Sequence, residues 1–187
     1  MPKTSLNKDE VKAMLILVAD RIIENEPMLS EADRNLGDGD HGLGMKRGME
    51  AVKEKLAGDV ESIEKAFSAT GMAMMSSMGG ASGAIFGTLW RNGGKALAGR
   101  EAFDAAGLAD LIKAGLEGVM ARGGAKPGDK TMIDALHPAM LKAQEVTGQA
   151  LPEAITAVAQ AAVDGRDASK AMIATMGRAK TLGEQSI

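Results

Sequence analysis

The chain has 187 residues, 45% of them hydrophobic and 25% charged, with a net charge of −3. That suits one globular domain of the usual ~100 to 200 residues and excludes disordered and collagen-like classes. Lys and Arg number 22 against 25 Asp and Glu, and the aromatic residues are Trp90, Phe67, Phe86 and Phe103 alone, so nucleic acid lacks both the positive field and the stacking platforms it needs.

Cysteine is absent, which removes disulfides, thiolate metal sites and a cysteine nucleophile. The opening MPKTSLNKDEVK is polar, and the apolar run at 14–19 falls far short of the roughly 18 residues of a membrane span. A soluble, untargeted, cytoplasmic protein without membrane insertion is expected.

Val11, Met14, Leu15, Val18, Ile22 and Ile23 recur at helical spacing and predict a first helix from Ser5 or Asn7 to about residue 28, with Pro27 and Ser30 as exit signals. A Gly- and Asp-rich loop over 31–42 follows, then a second helix over about 43–56 carrying Met45, Met49 and Val52 on one face. Ile63, Phe67, Met74 and Met75 place a third helix over about 62–78, ending at Gly79-Gly80-Ala81-Ser82-Gly83. A fourth continues through Ile85, Phe86, Leu89 and Trp90 to about Leu97. The fifth spans about 105–121 with Asp104 as N-cap. After the loop 122–129, a sixth runs over about 131–147. Pro152 opens a seventh that reaches to about Met176, before a polar tail over 177–187. No strand pattern is present.

Seven helices on short links describe an all-α, up-and-down antiparallel bundle. Gly71, Gly87, Gly115 and Gly118 each cost about 1 kcal/mol relative to Ala inside a helix, and they mark close helix contacts or breaks. Alternate loops of such a bundle fall at one end. The three glycine-rich loops, after the first, third and fifth helices, should therefore meet there, each opening a helix whose free N–H groups attract anions.

The first loop, Asp33-Arg34-Asn35-Leu36-Gly37-Asp38-Gly39-Asp40-His41-Gly42, crowds three carboxylates into eight residues. So few hard oxygen ligands suit a magnesium ion that keeps water or phosphate in its other positions. Calcium fits worse, because an EF-hand counted from Asp38 puts Met49 where a bidentate Glu belongs. Taken alone, the cluster is equally a solvated turn with an N-cap. The second loop, Ser76-Ser77-Met78-Gly79-Gly80-Ala81-Ser82-Gly83, adds close backbone approach and hydroxyls that would cradle phosphate oxygens, although alone it could be a helix corner. The third, Gly123-Gly124-Ala125-Lys126-Pro127-Gly128-Asp129-Lys130-Thr131, nearly spells a Walker A motif. Asp129 intrudes before the lysine and no strand precedes it, so that match is rejected. His137, beside Pro138, reads as a packing or capping residue, and His41 is the better functional candidate. No Ser-His-Asp or Cys-His arrangement supports covalent hydrolysis, and no catalytic residue is assigned beyond the metal site. The methionines read as adaptable core filler, with Met132 alone placed to face a flat ligand.

Asp38-Gly39-Asp40-His41-Gly42, then Ser77-Met78-Gly79-Gly80-Ala81-Ser82-Gly83, then Lys126-Pro127-Gly128-Asp129-Lys130-Thr131-Met132, in this order and spacing, resemble the DhaL family, the nucleotide-binding subunits of dihydroxyacetone kinases. The similarity continues through Gly177-Arg178-Ala179 and Leu182-Gly183-Glu184. It implies an antiparallel barrel of eight helices that binds ADP or ATP at one rim through Mg²⁺, two ions in all, held by Asp33, Asp38 and Asp40. It also implies that His41, Gly42, Leu43, Gly44, Ala81 and Ser82 surround the phosphates, that Gly123 and Met132 border the adenine, and that Arg178 reaches the nucleotide. The implied partners are a DhaK-type subunit holding the ketose and, in the phosphotransferase-system branch, a DhaM-type phosphohistidine donor. His41 after Asp40, on a short free-standing chain, favours that branch. Family members extend past the segment resembling 182–187 into a further loop and helix. The expectation is therefore a single DhaL-type domain over 1–187 that lacks them, either truncated or closed differently. Alternatives are an ATP-dependent kinase subunit for a tetrose such as erythrulose, a fatty acid kinase nucleotide domain, which usually has threonine at position 41, and a non-catalytic ADP-sensing regulator.

Overall fold

The computed structural model describes residues 3–35 and 37–187, so Met1, Pro2 and Leu36, the last within the acidic loop, lie outside the described residues. Asn7 opens α1 (Lys8–Glu24) through a capping box: its side chain accepts the N–H groups of Asp9 and Glu10, and Glu10 accepts the N–H of Asn7 at 3.0 Å. The helix does not run to Met28 in one piece. It breaks at Asn25 and restarts as α2 (Glu26–Arg34), with Pro27 in the first turn. Proline has no N–H to lose there and its φ suits a helix start, so the residue read as an exit is an entrance. Asp33 consequently sits at the end of a helix and not in a loop.

The remaining helices follow the predicted order: α3 (His41–Lys55), α4 (Ile63–Ser77), α5 (Gly80–Lys95), α6 (Ala105–Gly123), α7 (Ile133–Glu145) and α8 (Leu151–Ser169). Asp104 caps α6 as expected, accepting Gly107 N–H at 2.8 Å. α8 stops seven residues short of Met176, and the polar tail winds into a 3₁₀ helix over Arg178–Ser186, kinked at Gly183. Among the described residues no strand forms, only an isolated bridge between Leu6 and Phe103. The fold is all-α, with eight α-helices described in place of the seven read from periodicity, because α1 and α2 are separate. No helix of the described residues is long and apolar enough to cross a membrane.

Packing runs in chain order from α3 to α8, with α1 and α2 both lying against α3. Phe67 is fully buried, stacks on Trp90 at 5.9 Å between ring centroids and meets Phe103 at 5.2 Å. Met45, Met49, Met74 and Met78 are buried around them, the filler role expected of methionine. The interior glycines are contacts, not breaks. A Cβ on Gly71 would lie 2.5 Å from Arg91 N and 2.6 Å from Gly87 O, and one on Gly115 would lie 2.8 Å from Leu89 O. One on Gly118 would lie 2.2 Å from Asn92 Nδ2. Gly165 of α8 makes a similar approach to α7, where a Cβ would lie 2.2 Å from Asp134 O. Pro138, four residues on, has no N–H to occupy that carbonyl, which leaves it free to face the glycine.

One end of the bundle is tied by the Leu6–Phe103 bridge and by Lys8 and Lys12, which donate to Val60 O at 3.0 Å and Gly58 O at 2.7 Å. The loops after α2, α4 and α6 gather at the other end, where they line one cavity.

Candidate functional site

Gly37 N–H folds back onto Asp33 O at 2.6 Å, which turns the chain after α2 and returns it toward Asp33. The Asp33 carboxylate then accepts His41 N–H at 3.2 Å and so caps α3 from eight residues away. Asp40 occupies the N-cap position but makes no side-chain cap bond, and its carboxylate instead lies against that of Asp38. Asp38 pairs with Arg178. One carboxylate oxygen from each of Asp33, Asp38 and Asp40 lies within 4.8 Å of the others. Lost solvation pushes the Asp38 carboxyl up, but its backbone N–H and the Arg178 guanidinium outweigh that and hold it below the ordinary carboxylate range.

These donors fit magnesium. An octahedral ion with bonds of about 2.0–2.1 Å sets neighbouring ligands about 2.9 Å apart and opposite ones about 4.1 Å apart, so three oxygens within 4.8 Å need shift little to share one ion or flank two. All are hard oxygen donors, with no thiolate or imidazole in the set.

The side of the cavity that carries free backbone amides is built by the turn between α4 and α5. Gly79 and Gly80 take positive φ of 76° and 59°, a conformation open to glycine at no steric cost. The turn starts α5 without a side-chain cap, so its first N–H groups remain unclaimed beside Ala81 and Ser82 on the cavity wall. Ser76 and Ser77 do not join them. Their hydroxyls donate back to Ala73 O at 3.0 and 2.6 Å, which leaves Ser82 as the hydroxyl of this loop on the cavity. Arg47 anchors the turn from α3, donating to Met78 O at 3.0 Å.

The third loop is shaped by buried Asp134, which accepts Gly128 N–H at 2.6 Å and Thr131 N–H at 2.7 Å. It presents Lys130 and Thr131 to the cavity. The segment after α8, which lies against the third loop through Lys130 and Asp129, supplies Met176, Gly177, Arg178 and Ala179. The cavity, open to solvent on one side, has a volume of about 600 Å³, in the range of small-molecule pockets.

Of the residues singled out from sequence, Asp33, Asp38, Asp40, His41, Gly44, Ala81, Ser82 and Arg178 line this cavity. Gly42, Leu43, Gly123 and Met132 do not. Gly42 is buried against α2, where a Cβ would lie 2.4 Å from Glu26 O, and Leu43 is 54% exposed on the far side of the same turn. Gly123 ends α6 with its Cα facing Ile85, and Met132 packs with Ile85 and Met120 on the buried trio Leu116, Val119 and Ile133. Sequence reading missed Arg47, Lys130 and Thr131. Arg47 was within reach of it: it follows His41 and Gly44 at spacings of three, which share a helix face.

A DAK2 domain is matched over residues 35–187. The chain belongs to the DAK2 domain family. Within it, the chain is 38% identical over 187 residues to a Listeria innocua protein, "PEP-dependent dihydroxyacetone kinase 1, ADP-binding subunit DhaL", covering 97% of this chain and 87% of that one. The corresponding Escherichia coli ADP-binding subunit DhaL is 36% identical over 186 residues, covering 98% and 89%. An L-erythrulose kinase of Pectobacterium atrosepticum is 37% identical over 185 residues, but this DAK2 chain spans only 31% of its length. The crystal structure of the C. freundii dihydroxyacetone kinase in complex with AMP-PNP and Mg²⁺ superposes with a TM-score of 0.69 at 25% identity, covering the whole of this chain and 32% of that one.

Proposed function

We propose that this chain is the nucleotide-binding subunit of a dihydroxyacetone kinase, a phosphotransferase component that holds ADP or ATP for phosphoryl transfer to a short-chain ketose. The observation that carries the reading is the convergence of three carboxylates and the uncapped start of α5 on one cavity. Phosphoryl transfer requires mainly positioning and charge compensation, and no nucleophile from the protein. Asp33, Asp38 and Asp40 would hold the magnesium, two ions in all, which supplies Lewis-acid charge compensation on the phosphate oxygens.

The chain's own groups divide the remaining work. Amides at Gly80, Ala81 and Ser82 receive phosphate oxygens, and Arg178, paired with Asp38, adds positive charge to the same cavity. His41 lines the cavity with its ring beside Phe86, centroids 6.1 Å apart. Gly123 and Met132 lie outside the lining and would border the adenine only as a ligand extends past the Lys130 side toward the apolar cluster of α6 and α7.

The ketose-binding subunit is a separate DhaK-type partner, and the likeness to DhaL subunits named as PEP-dependent supports a phosphohistidine donor of the DhaM type that recharges bound ADP in place. An erythrulose acceptor is the second reading, supported by the 37% identity to L-erythrulose kinase. Native mass spectrometry of the purified protein tests the donor: co-purifying ADP supports recharging in place, whereas an empty protein that exchanges ATP favours direct use of ATP. Kinase assays with a ketose-binding subunit, on dihydroxyacetone and on erythrulose, test the acceptor. Absence of Mg²⁺-dependent nucleotide binding would overturn the whole reading.

A further inference from the structure

Lys130 is the one non-glycine residue among those described with a positive φ, 55°, a conformation that an L-residue with a long side chain adopts only when its surroundings hold it there. Its position in a Walker-like string suggests a phosphate-binding ammonium, and it lines the cavity. The ammonium is nevertheless already engaged. Nζ donates to Lys170 O at 3.0 Å, to Met172 O at 3.0 Å and to Ser186 O, three carbonyls for its three protons.

All three acceptors belong to the segment that follows α8, and neighbouring bonds fasten the same segment. Thr175 donates its hydroxyl to Asp129 Oδ1 at 2.6 Å and its N–H to Asp129 O at 3.2 Å. Within the segment, Ser186 accepts Ala174 N–H at 2.9 Å and donates to Gly183 O at 2.6 Å, closing it into a loop. Arg178 lies inside that loop and pairs with Asp38 on the cavity. The segment has only one buried apolar residue, Ala174, so polar bonds rather than packing fix its place.

We propose that Lys130, assisted by Asp129, is a positioning residue: a clasp that sets the 170–187 segment so that Arg178 is delivered to the acidic trio, and not itself a ligand of phosphate. The part of this that concerns nucleotide rests on the function proposed above; the clasp itself does not.

The test uses the full chain and two readouts. Lys130→Gly removes the ammonium while relieving the positive φ, so the backbone keeps its path, and Thr175→Val removes the Asp129 bond with little change of shape. Hydrogen exchange of the 171–187 amides should accelerate at least about tenfold in Lys130→Gly while α4 and α5 stay protected, and Lys130→Arg should restore part of the protection. Mg²⁺–ADP affinity should fall about 10- to 100-fold, the usual loss when a supporting contact behind a metal site is removed. The loss should vanish in an Arg178→Ala background, since Lys130 acts through Arg178. Unchanged exchange in both Lys130→Gly and Thr175→Val would overturn the clasp. A loss that adds to that of Arg178→Ala would overturn the indirect role and make Lys130 a direct phosphate contact. Failure of the wild-type chain to bind Mg²⁺–ADP would overturn the proposed function and the Arg178 delivery with it, while the exchange result would still decide the clasp.

Discussion

Gly42→Ala tests how the acidic trio is held together. The new Cβ would stand 2.3 Å from Ser30 Oγ, 2.4 Å from Glu26 O and 2.7 Å from Ser30 N. The Ser30 hydroxyl can rotate away, but the other two atoms are backbone of α2. Ordinary contact needs about 3.5 Å, so α2 must retreat from α3 by about 1 Å. Residues 26, 30 and 33 share one face of α2, so Asp33 moves with the helix. Its bond to His41 N–H, now 3.2 Å, would stretch beyond hydrogen-bonding range. A shift of that size carries the Asp33 carboxylate away from the other two, so Mg²⁺–ADP affinity should fall about 100-fold, the scale of a 1 Å misplacement. Overpacking should cost about 1–3 kcal/mol of stability. Titration calorimetry with Mg²⁺–ADP, beside urea denaturation, measures both. Gly44→Ala is the control two residues on, because its Cβ would meet only Met78 O at 3.9 Å and fold stability should hold or rise. Wild-type affinity in Gly42→Ala would refute the claim that this contact positions Asp33.

Asp38→Ala and Asp40→Ala should each abolish Mg²⁺-dependent ADP binding with helical content intact, measured by titration calorimetry and circular dichroism. Gly71→Ala would drive a Cβ to 2.5 Å from Arg91 N and 2.6 Å from Gly87 O, both backbone, and should cost about 1–3 kcal/mol by forcing α4 from α5; an unchanged urea midpoint would contradict the close contact. Asp134→Ala strands the N–H groups of Gly128 and Thr131 and should cost about 1–3 kcal/mol, with the third loop losing exchange protection first. The Asp129 carboxyl is held below its ordinary value of 3.8 by the Thr175 hydroxyl and then by Lys126 N–H. A depressed folded value means its contribution is complete above 3.8 and is lost as pH falls through the lower folded value. The Thr175 amide signal should therefore shift in that acid range, and Asp129→Asn should remove the transition.

Most of the helices were legible because each buries an apolar stripe of fixed period, and the loops that follow α2, α4 and α6 met at one end because neighbours alternate in direction. The α1/α2 break was not, since Pro27 can end one helix or begin another and only the Asn25 turn decides between them. Asp33 was legible as part of an acidic cluster, but its capping bond to His41 depends on a reversal at Gly37 that composition does not specify. Gly42 shows the same ambiguity. A glycine beside acidic residues fits a phosphate turn or a helix crossing equally well in sequence, and only the position of Glu26 O distinguishes them. Lys130 was hidden further still, because its partners lie 40, 42 and 56 residues away.

The two halves of the cavity are built with unequal rigidity. The amide-bearing half stands on α4 and α5, whose backbones are drawn together at Gly71 and Gly87, and its turn is pinned by Arg47 on Met78 O. Its amides are thus oriented in advance, which is the condition under which fixed dipoles act on a polyanion without reorganisation. The acidic half rests on the loop between α2 and α3 and on a C-terminal segment fastened by polar bonds, and three carboxylates against one guanidinium leave it negative. Such a half gains most from a divalent ion that arrives already bound to phosphate, because magnesium takes few protein ligands and prefers to fill its shell with phosphate oxygens and water. On the function proposed above, the carboxylates of the acidic half would hold the metal and the free amides at the start of α5 would receive the phosphates, so that the metal–nucleotide complex would be recognised as one ligand.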